Sequence, residues 1–250
     1  MKETKILMGM PVTVEIADPG ANSRDIDDVF SYFEYIDDTF STFKSSSEIT
    51  RINRGELDRS QWSPDMKEIF DLAERTKNET NGYFDIKTPG GSYDPSGVVK
   101  GWAIWRAAGI LRKKGFRNFY VDAGGDIEVS GVNEKGERWI IGIRNPFNVS
   151  EVVKKVALTD GGIATSGTYE RGNHIYNPKT GKAADSDIVS VSVVGPNVYE
   201  ADRFATAAFA MGRSGIQFIE QVPGIEGYMI DRQGIATMTS GFGNYVCNYD

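Results

Sequence analysis

One segment of the 250-residue chain, residues 160–181, contains its single histidine, His174. Histidine has the unperturbed side-chain pKa nearest neutrality and is the usual proton carrier, so acid–base chemistry through an imidazole falls on this residue. The Asn-Pro-Lys-Thr-Gly turn at 177–181 places it on an edge or rim. On position alone, His174 could equally be a hydrogen-bonded histidine in the core. A Ser166/His174 hydrolase would lack the G-x-S-x-G elbow around its serine.

A second segment, Asp94-Pro-Ser-Gly-Val-Val-Lys-Gly101, stands at the head of a predicted helix. Helix N-termini present unpaired N–H groups and a partial positive charge, which suits a phosphate. Glycines at 97 and 101 allow close backbone approach, and Lys100 adds a full charge. The alternative is an N-cap serine, Ser96, with a solvent-facing lysine.

A third pair, Asp202 and Thr206, is spaced four residues apart and therefore shares one face of a predicted helix. A carboxylate and a hydroxyl so placed are hard oxygen ligands, suited to Mg²⁺ shared with a phosphate. The alternative is that Asp202 only complements the helix dipole in the first turn.

A fourth segment, Val121-Asp-Ala-Gly-Gly-Asp-Ile127, joins two predicted strands through paired glycines. The backbone could pass close to a flat ligand there, whereas the simpler alternative is a tight hairpin.

The elements that must position these residues follow from hydrophobic periodicity. Apolar residues spaced for one helical face, with capping signals, predict helices over 23–40, 47–53, 63–82 and 95–115. Alternation predicts a strand over 5–17, and strands around 119–121, 127–129, 139–143, 156–158 and 188–194. Helices at 200–212 and 214–221 and a hairpin around 231–234 follow. Helices first and strands clustered later predict an α+β fold rather than a βαβ series. The G-x-G-x-x-G fingerprint and the P-loop are both missing.

Composition excludes several classes of protein. The 28 lysines and arginines are scattered against 35 acids, for a formal net charge of −7, which argues against a nucleic-acid partner. The single cysteine, Cys247, excludes an intramolecular disulfide. No apolar run approaches the roughly 20 residues of a membrane span. The N-terminus lacks the apolar stretch of a signal peptide and a lipid-attachment cysteine, which predicts a cytoplasmic protein; a trimmed exported form would look the same.

Taken in this order, the segments resemble the ApbE-like flavin transferases (FAD:protein FMN transferases). The resemblance covers about residues 6–240 and rests on these motifs: Met8-Gly-Met10, Phe40-Ser-Thr-Phe43 with Ser47-Glu-Ile-Thr-Arg-Ile-Asn53, Gly82-Tyr-Phe-Asp85, Asp94-Pro-Ser-Gly-Val-Val-Lys-Gly-Trp-Ala103, Gly124-Gly-Asp126, Ala164-Thr-Ser-Gly167, His174-Ile-Tyr-Asn-Pro-Lys-Thr-Gly181 and Ala201-Asp-Arg-Phe-Ala-Thr206. Eight motifs in register are specific, although no single one is decisive.

The resemblance implies a T-fold-like, two-lobed α+β domain over residues 1–250, with mainly antiparallel sheets, helices packed on them and FAD in the cleft between the lobes. It implies Mg²⁺-dependent transfer of FMN from FAD to a threonine or serine hydroxyl of a target protein, with release of AMP. By match, the metal ligands are Asp202, Thr206 and a main-chain carbonyl near Val99. Ser96, Gly97 and Lys100 line the diphosphate, and Lys100 also neutralises charge in catalysis. The remaining FAD contacts are Met10, Phe43, Asp85, Gly125, Asp126 and Ser166, and His174 is the general base in contact with FAD.

The sequence departs from the family pattern at three places. Met10 replaces a usual threonine and Phe43 a usual tyrosine, so each contact loses a hydroxyl. Only eight residues separate Asp85 from Asp94, where many members carry a longer insertion. We also expect no lipoprotein anchor, which many members carry, because the N-terminus lacks a lipid-attachment cysteine. Two alternatives share the same residues: an FAD pyrophosphatase that gives FMN and AMP, and a non-catalytic FAD-binding protein.

Overall fold

An eight-stranded antiparallel sheet organises the chain. The computed structural model describes residues 1–167, 176–183 and 187–247. Within those residues the strands of this sheet are β1 (Lys2–Leu7), β2 (Met10–Ile16), β3 (Phe119–Ala123), β4 (Asp126–Ser130), β7 (Gly161–Gly167), β10 (Ile188–Gly195), β11 (Glu226–Asp231) and β12 (Ala236–Met238), hydrogen-bonded in that spatial order. Two smaller hairpins are formed by β5 (Trp139–Asn145) with β6 (Asn148–Leu158) and by β8 (Tyr176–Asn177) with β9 (Lys182–Ala183).

The helices begin and end where the capping residues predict. They are α1 (Ser23–Phe40), α2 (Glu48–Asn53), α3 (Pro64–Glu79), α4 (Ser96–Lys113), α5 (Val198–Met211) and α6 (Gly215–Glu220). Asn22 and Asp25 form a capping box at α1, and Ser63 caps α3 with Pro64 as the first helical residue. The helical stretches predicted from sequence are therefore confirmed to within a few residues.

The two faces of the sheet carry separate hydrophobic cores. The helices pack on one face, and the β5–β6 hairpin covers part of the other. Strand β4 shows how side chains divide between them. Ile127 and Val129 join the core beneath the hairpin, whereas Asp126 and Glu128 contact helices α4 and α5. Two buried carboxylates therefore point from one strand toward the helical layer.

One strand prediction is wrong in detail, and one strand is not predicted. The strand predicted over 5–17 is a hairpin, because Met8 (φ 52°) and Gly9 (φ 72°) turn the chain between β1 and β2. Strand β7 was not expected, because its residues are mostly buried on both faces and show no alternation of apolar and polar types. The expected combination of helices with antiparallel sheet is confirmed. No helix in the described ranges is both long and apolar enough to cross a membrane.

Candidate active site

The start of helix α4 differs from the simpler sequence interpretation. Pro95 occupies the N-cap position and Ser96 is the first helical residue, so Ser96 is not the N-cap. Oδ1 of Asp94 accepts a hydrogen bond from the Ser96 backbone N–H (3.1 Å). Ser96 is exposed at this helix start, whereas Val98 and Val99 are buried and donate their backbone N–H groups to the Pro95 carbonyl.

Lys100, one turn further along α4, does not simply face solvent. Its Nζ lies 2.6 Å from Oδ2 of Asp126, which is 1% exposed. Oδ1 of the same carboxylate accepts the backbone N–H of Thr165 on β7 (3.0 Å). In the described part of the chain, Oδ2 has no hydrogen bond in regular geometry, so the ion pair compensates its buried charge. Asp126 thus links α4 to β7 and fixes the position of a positive charge.

Asp202 lies on the neighbouring helix, against the same region of α4. It is 4% exposed, and its Oδ2 accepts the backbone N–H of Gly101 (2.8 Å). Burial raises the pKa of Asp202 to about 7; Lys100 opposes the shift and Asp126 adds to it. Asp202 is the fifth residue of α5, beyond the first turn, where Glu200 is the acidic residue. Complementing the helix dipole therefore does not account for Asp202.

Thr206 follows Asp202 by one helical turn and meets strand β7. Its Oγ1 lies 3.4 Å from Oγ of Ser166. A Cβ added to Gly97 would lie 3.2 Å from Cγ2 of Thr206, so α4 approaches α5 closely here. Gly97, Ser166, Asp202 and Thr206, from three separated segments of sequence, meet at one place.

The donor set fits a divalent cation shared with a substrate. Asp202 offers a carboxylate and Thr206 a hydroxyl, both hard oxygen donors. Within the described ranges, no cluster of three or more His, Cys, Asp or Glu residues could hold a metal by itself. Mg²⁺ typically keeps waters and binds through one or two carboxylates plus substrate phosphates, which matches so small a protein donor set. Val99, the source of the expected third ligand, is buried in the first turns of α4.

An open cleft lies beside the start of α4. It brings together five of the predicted residues: Met10, Phe43, Ser96, Val99 and Lys100. Phe43 is 99% exposed, so its ring is available at the mouth of the cleft. Met8 and Asp94 also line it and were not assigned as contacts from sequence. The Met8-Gly-Met10 motif, in which only Met10 is assigned from the resemblance, could have indicated Met8.

A second cleft opens beside the glycine turn between β3 and β4. Gly125 and Asp126 line it together with Asp122, whose pKa is raised by burial. Gly125 has a φ of 93°, and nothing lies within 4 Å of an added Cβ, so its backbone faces open space. Lys100 lines the first cleft and Asp126 the second, so their ion pair lies between the two clefts.

One of the described residues predicted as FAD contacts, Asp85, lies apart from these clefts. Asp85 lines neither cleft; its carboxylate pairs with Lys77 (2.7 Å) and accepts the Lys87 backbone N–H (2.8 Å). The hydroxyl of Tyr176 lies 2.7 Å from the carbonyl oxygens of both Asp85 and Lys87 and shares its one proton between them, which ties this loop to the β8–β9 hairpin. His174 lies outside the described residues.

Comparison of the sequence with known proteins shows which family it matches. The model of the ApbE family matches residues 8–90 and 87–229. FAD:protein FMN transferase from Salmonella typhimurium is 29% identical over 150 residues, covering 56% of this chain and 43% of that protein. The protein of the same name from Escherichia coli K12 is 30% identical over a segment of the same length and coverage. The matched segment thus spans less than half the length of these relatives.

Solved structures show the same fold over nearly the whole chain. The flavin transferase ApbE from Vibrio cholerae superposes with a TM-score of 0.86 at 23% identity, covering 98% of each chain. The ApbE protein from Thermotoga maritima gives a TM-score of 0.89 at 21% identity, covering 99% of each. At this identity the likeness establishes the architecture.

Proposed function

Because the chain belongs to the ApbE family, we propose that it transfers FMN from FAD to a threonine or serine hydroxyl of a target protein and releases AMP. The observation that carries the proposal is the meeting of the Lys100–Asp126 ion pair with Asp202 and Thr206 beside an open cleft. Charge neutralisation and hard oxygen donors placed together are what cleavage of a diphosphate requires. Residues 1–250 act as one unit in this proposal, because the site draws on segments from both halves of the chain.

The transfer balances as a single displacement at phosphorus. The acceptor hydroxyl oxygen forms a bond to the phosphorus of the FMN half, and the bond from that phosphorus to the bridging oxygen breaks. AMP leaves with the bridging oxygen, and the hydroxyl proton passes to a base. We assign that base to His174, the chain's one imidazole, because an alcohol is a weak nucleophile until its proton is removed.

Lys100 and the acidic residues have separate roles. Asp126 holds the Lys100 ammonium at the cleft, where its charge stabilises the negative charge that develops on the leaving phosphate. Asp202, Thr206 and the main-chain carbonyl near Val99 would hold Mg²⁺, which when bound would neutralise charge on the diphosphate and polarise the phosphorus–oxygen bond. Ser166 and Gly97 border this point, since each lies close to Thr206.

In this proposal, the two clefts would take the two parts of FAD. Apolar and aromatic side chains, Met10 and Phe43 among them, line the cleft at α4 and suit a flat ring. Gly125 and Asp126 line the second cleft, which is more polar. The diphosphate would then lie between them, near Ser96 and Lys100. Asp85 contributes from the adjoining loop only if its pairing with Lys77 opens.

Incubation of the purified chain with FAD and Mg²⁺, with and without candidate acceptor proteins, tests the proposal. AMP release together with FMN that stays on the acceptor after denaturation supports it. Free FMN and AMP formed equally without acceptor would instead establish an FAD pyrophosphatase. FAD bound intact for hours with Mg²⁺ present would establish a non-catalytic carrier. The Asp202→Ala variant is the negative control for metal-dependent turnover.

A further inference from the structure

Strand β4 carries a second buried carboxylate, Glu128, two residues after Asp126 and on the same face. It is 1% exposed. Its Oε2 accepts the backbone N–H of Val198 (2.7 Å), and its Oε1 accepts Nη2 of Arg112 near the end of α4 (2.7 Å). Glu128 therefore contacts both helices that carry the candidate site.

The bond to Val198 satisfies an otherwise unpaired donor. Val198 is the first residue of α5, and the first N–H groups of a helix have no partner within it. Asn197 caps α5 by accepting the N–H of Glu200 (2.9 Å), which leaves the Val198 donor to Glu128. Val198 is fully buried, so water does not replace this acceptor without a change in packing. An anionic acceptor also complements the positive end of the helix dipole.

Close packing limits where α5 can begin. A Cβ on Gly162 of β7 would lie 2.1 Å from the Val198 nitrogen, and one on Gly101 of α4 would lie 2.8 Å from its carbonyl oxygen. The first turn of α5 is thus held between β4, β7 and α4. Asp202 follows Val198 by one turn, so a shift at the helix start moves Asp202 as well.

We propose that Glu128 is a positioning residue that sets the location of Asp202 and Thr206 relative to Lys100. Strand β4 holds α4 through the bond of Asp126 to Lys100, and it holds α5 through the bond of Glu128 to Val198. These two bonds together set the distance between Lys100 on α4 and Asp202 on α5. Glu128 touches neither substrate nor metal in this account; it acts through the helix start. The inference rests on the proposed function, because it concerns the strength of cation and diphosphate binding at that site.

Calorimetric titration of Mn²⁺ into the full chain saturated with ADP tests this role, with ADP as the diphosphate probe. Replacing Glu128 by leucine (Glu128→Leu) removes the acceptor at similar size and is expected to raise the Mn²⁺ dissociation constant about tenfold or more, as loss of groups that orient metal ligands does. Glu128→Gln keeps an oxygen for the Val198 N–H and should bind Mn²⁺ nearly as well as the unaltered chain. If Glu128→Leu does not fold, Glu128→Asp withdraws the carboxylate by one methylene and should also weaken binding.

Arg112→Gln is the matched structural control. It removes the ion pair on Oε1 and leaves the bond to Val198, so it should reduce stability to denaturant with little change in Mn²⁺ binding. The inference would be overturned if Glu128→Leu, or Glu128→Asp in its place, bound Mn²⁺ as tightly as the unaltered chain does. So would Arg112→Gln weakening binding as much as Glu128→Leu does. An unaltered chain that binds no Mn²⁺ with ADP would overturn the proposed metal site itself, and the inference with it.

Discussion

The backbone N–H of Gly101 donates to Oδ2 of Asp202 at 2.8 Å, across the contact between α4 and α5. A Cβ on Gly101 would stand 2.6 Å from Cβ of Asp202, closer than non-bonded carbons approach. Only glycine at position 101 allows the helices to meet at this distance. The carboxylate assigned to the metal is therefore held by the packing of two helices as well as by its own rotamer.

Gly101→Ala should separate these helices. Overpacking of a close contact costs about 1–3 kcal/mol, so the free energy of unfolding should fall by that amount, and metal-dependent cleavage of FAD should fall with it. Gly109→Ala on the same helix is the control, because an added Cβ there meets nothing within 4 Å. It should raise stability by about 0.5–1 kcal/mol through helix propensity. Denaturant unfolding measures both; a Gly101→Ala chain as stable as the original would contradict the packing argument.

Asp202→Asn should separate stability from activity. Burial raises the pKa of the carboxyl, so its charged form is costly in the fold, and a neutral amide of the same shape removes that cost. The amide oxygen still accepts the Gly101 N–H. We expect the variant to unfold at the same or a higher denaturant concentration at pH 8 and to lose Mg²⁺ activation of FAD cleavage. Retained Mg²⁺ activation would refute the assignment of Asp202 as a ligand.

Phe43→Ala should affect substrate binding alone. The ring is 99% exposed and contributes little to the core, so unfolding should be unchanged. Loss of a stacking surface worth about 0.5–1.5 kcal/mol should raise KM for FAD by roughly twofold to twelvefold. Phe147→Ala, which removes a 57% exposed ring on the β5–β6 turn, should leave KM unchanged. Equal KM values for FAD in the original chain, Phe43→Ala and Phe147→Ala would show that Phe43 does not contact FAD.

Glu128 should make stability depend on pH. Burial raises its pKa to about 7 from 4.5, against the opposing effect of Arg112 and with a smaller contribution from Asp160. The Glu128 carboxyl therefore binds its proton more tightly in the folded chain than in the unfolded chain. Its contribution to stability is present below pH 4.5 and is lost as pH rises to about 7. Glu128→Gln has no such titration, so from pH 5 to pH 8 the original chain should lose on the order of 2 kcal/mol more than the variant. If the free energy of unfolding changed equally in the original chain and in Glu128→Gln, the pKa of Glu128 would not be raised by folding.

Much of the helical layer could be predicted from the sequence, because its signals are local. Capping residues such as Asn22 and Ser63 and a single apolar stripe define each helix within a few residues. The spacing of Asp202 and Thr206 on one helix face likewise needs no tertiary information. These features were therefore predicted at their observed positions.

The remaining features depend on contacts distant in sequence. Strand β7 consists of small residues that are mostly buried, so no period distinguishes it from a loop. Met8 adopts a positive φ that methionine rarely takes, which hid the β1–β2 turn within an apparently continuous strand. The acceptor role of Glu128 depends on a partner 70 residues away. Alternation along β4 indicates which face Glu128 is on but cannot indicate what lies opposite.

The intact mass of denatured acceptor proteins, co-expressed with this chain in a host that lacks its own flavin transferase, tests the central claim most directly. We expect an acceptor to gain the mass of one FMN less one water, at a serine or threonine. With His174→Ala the gain should form about 10²–10⁴-fold more slowly, while FAD still binds. No mass gain on any acceptor, or an undiminished rate in the His174→Ala chain, would contradict transfer through this base.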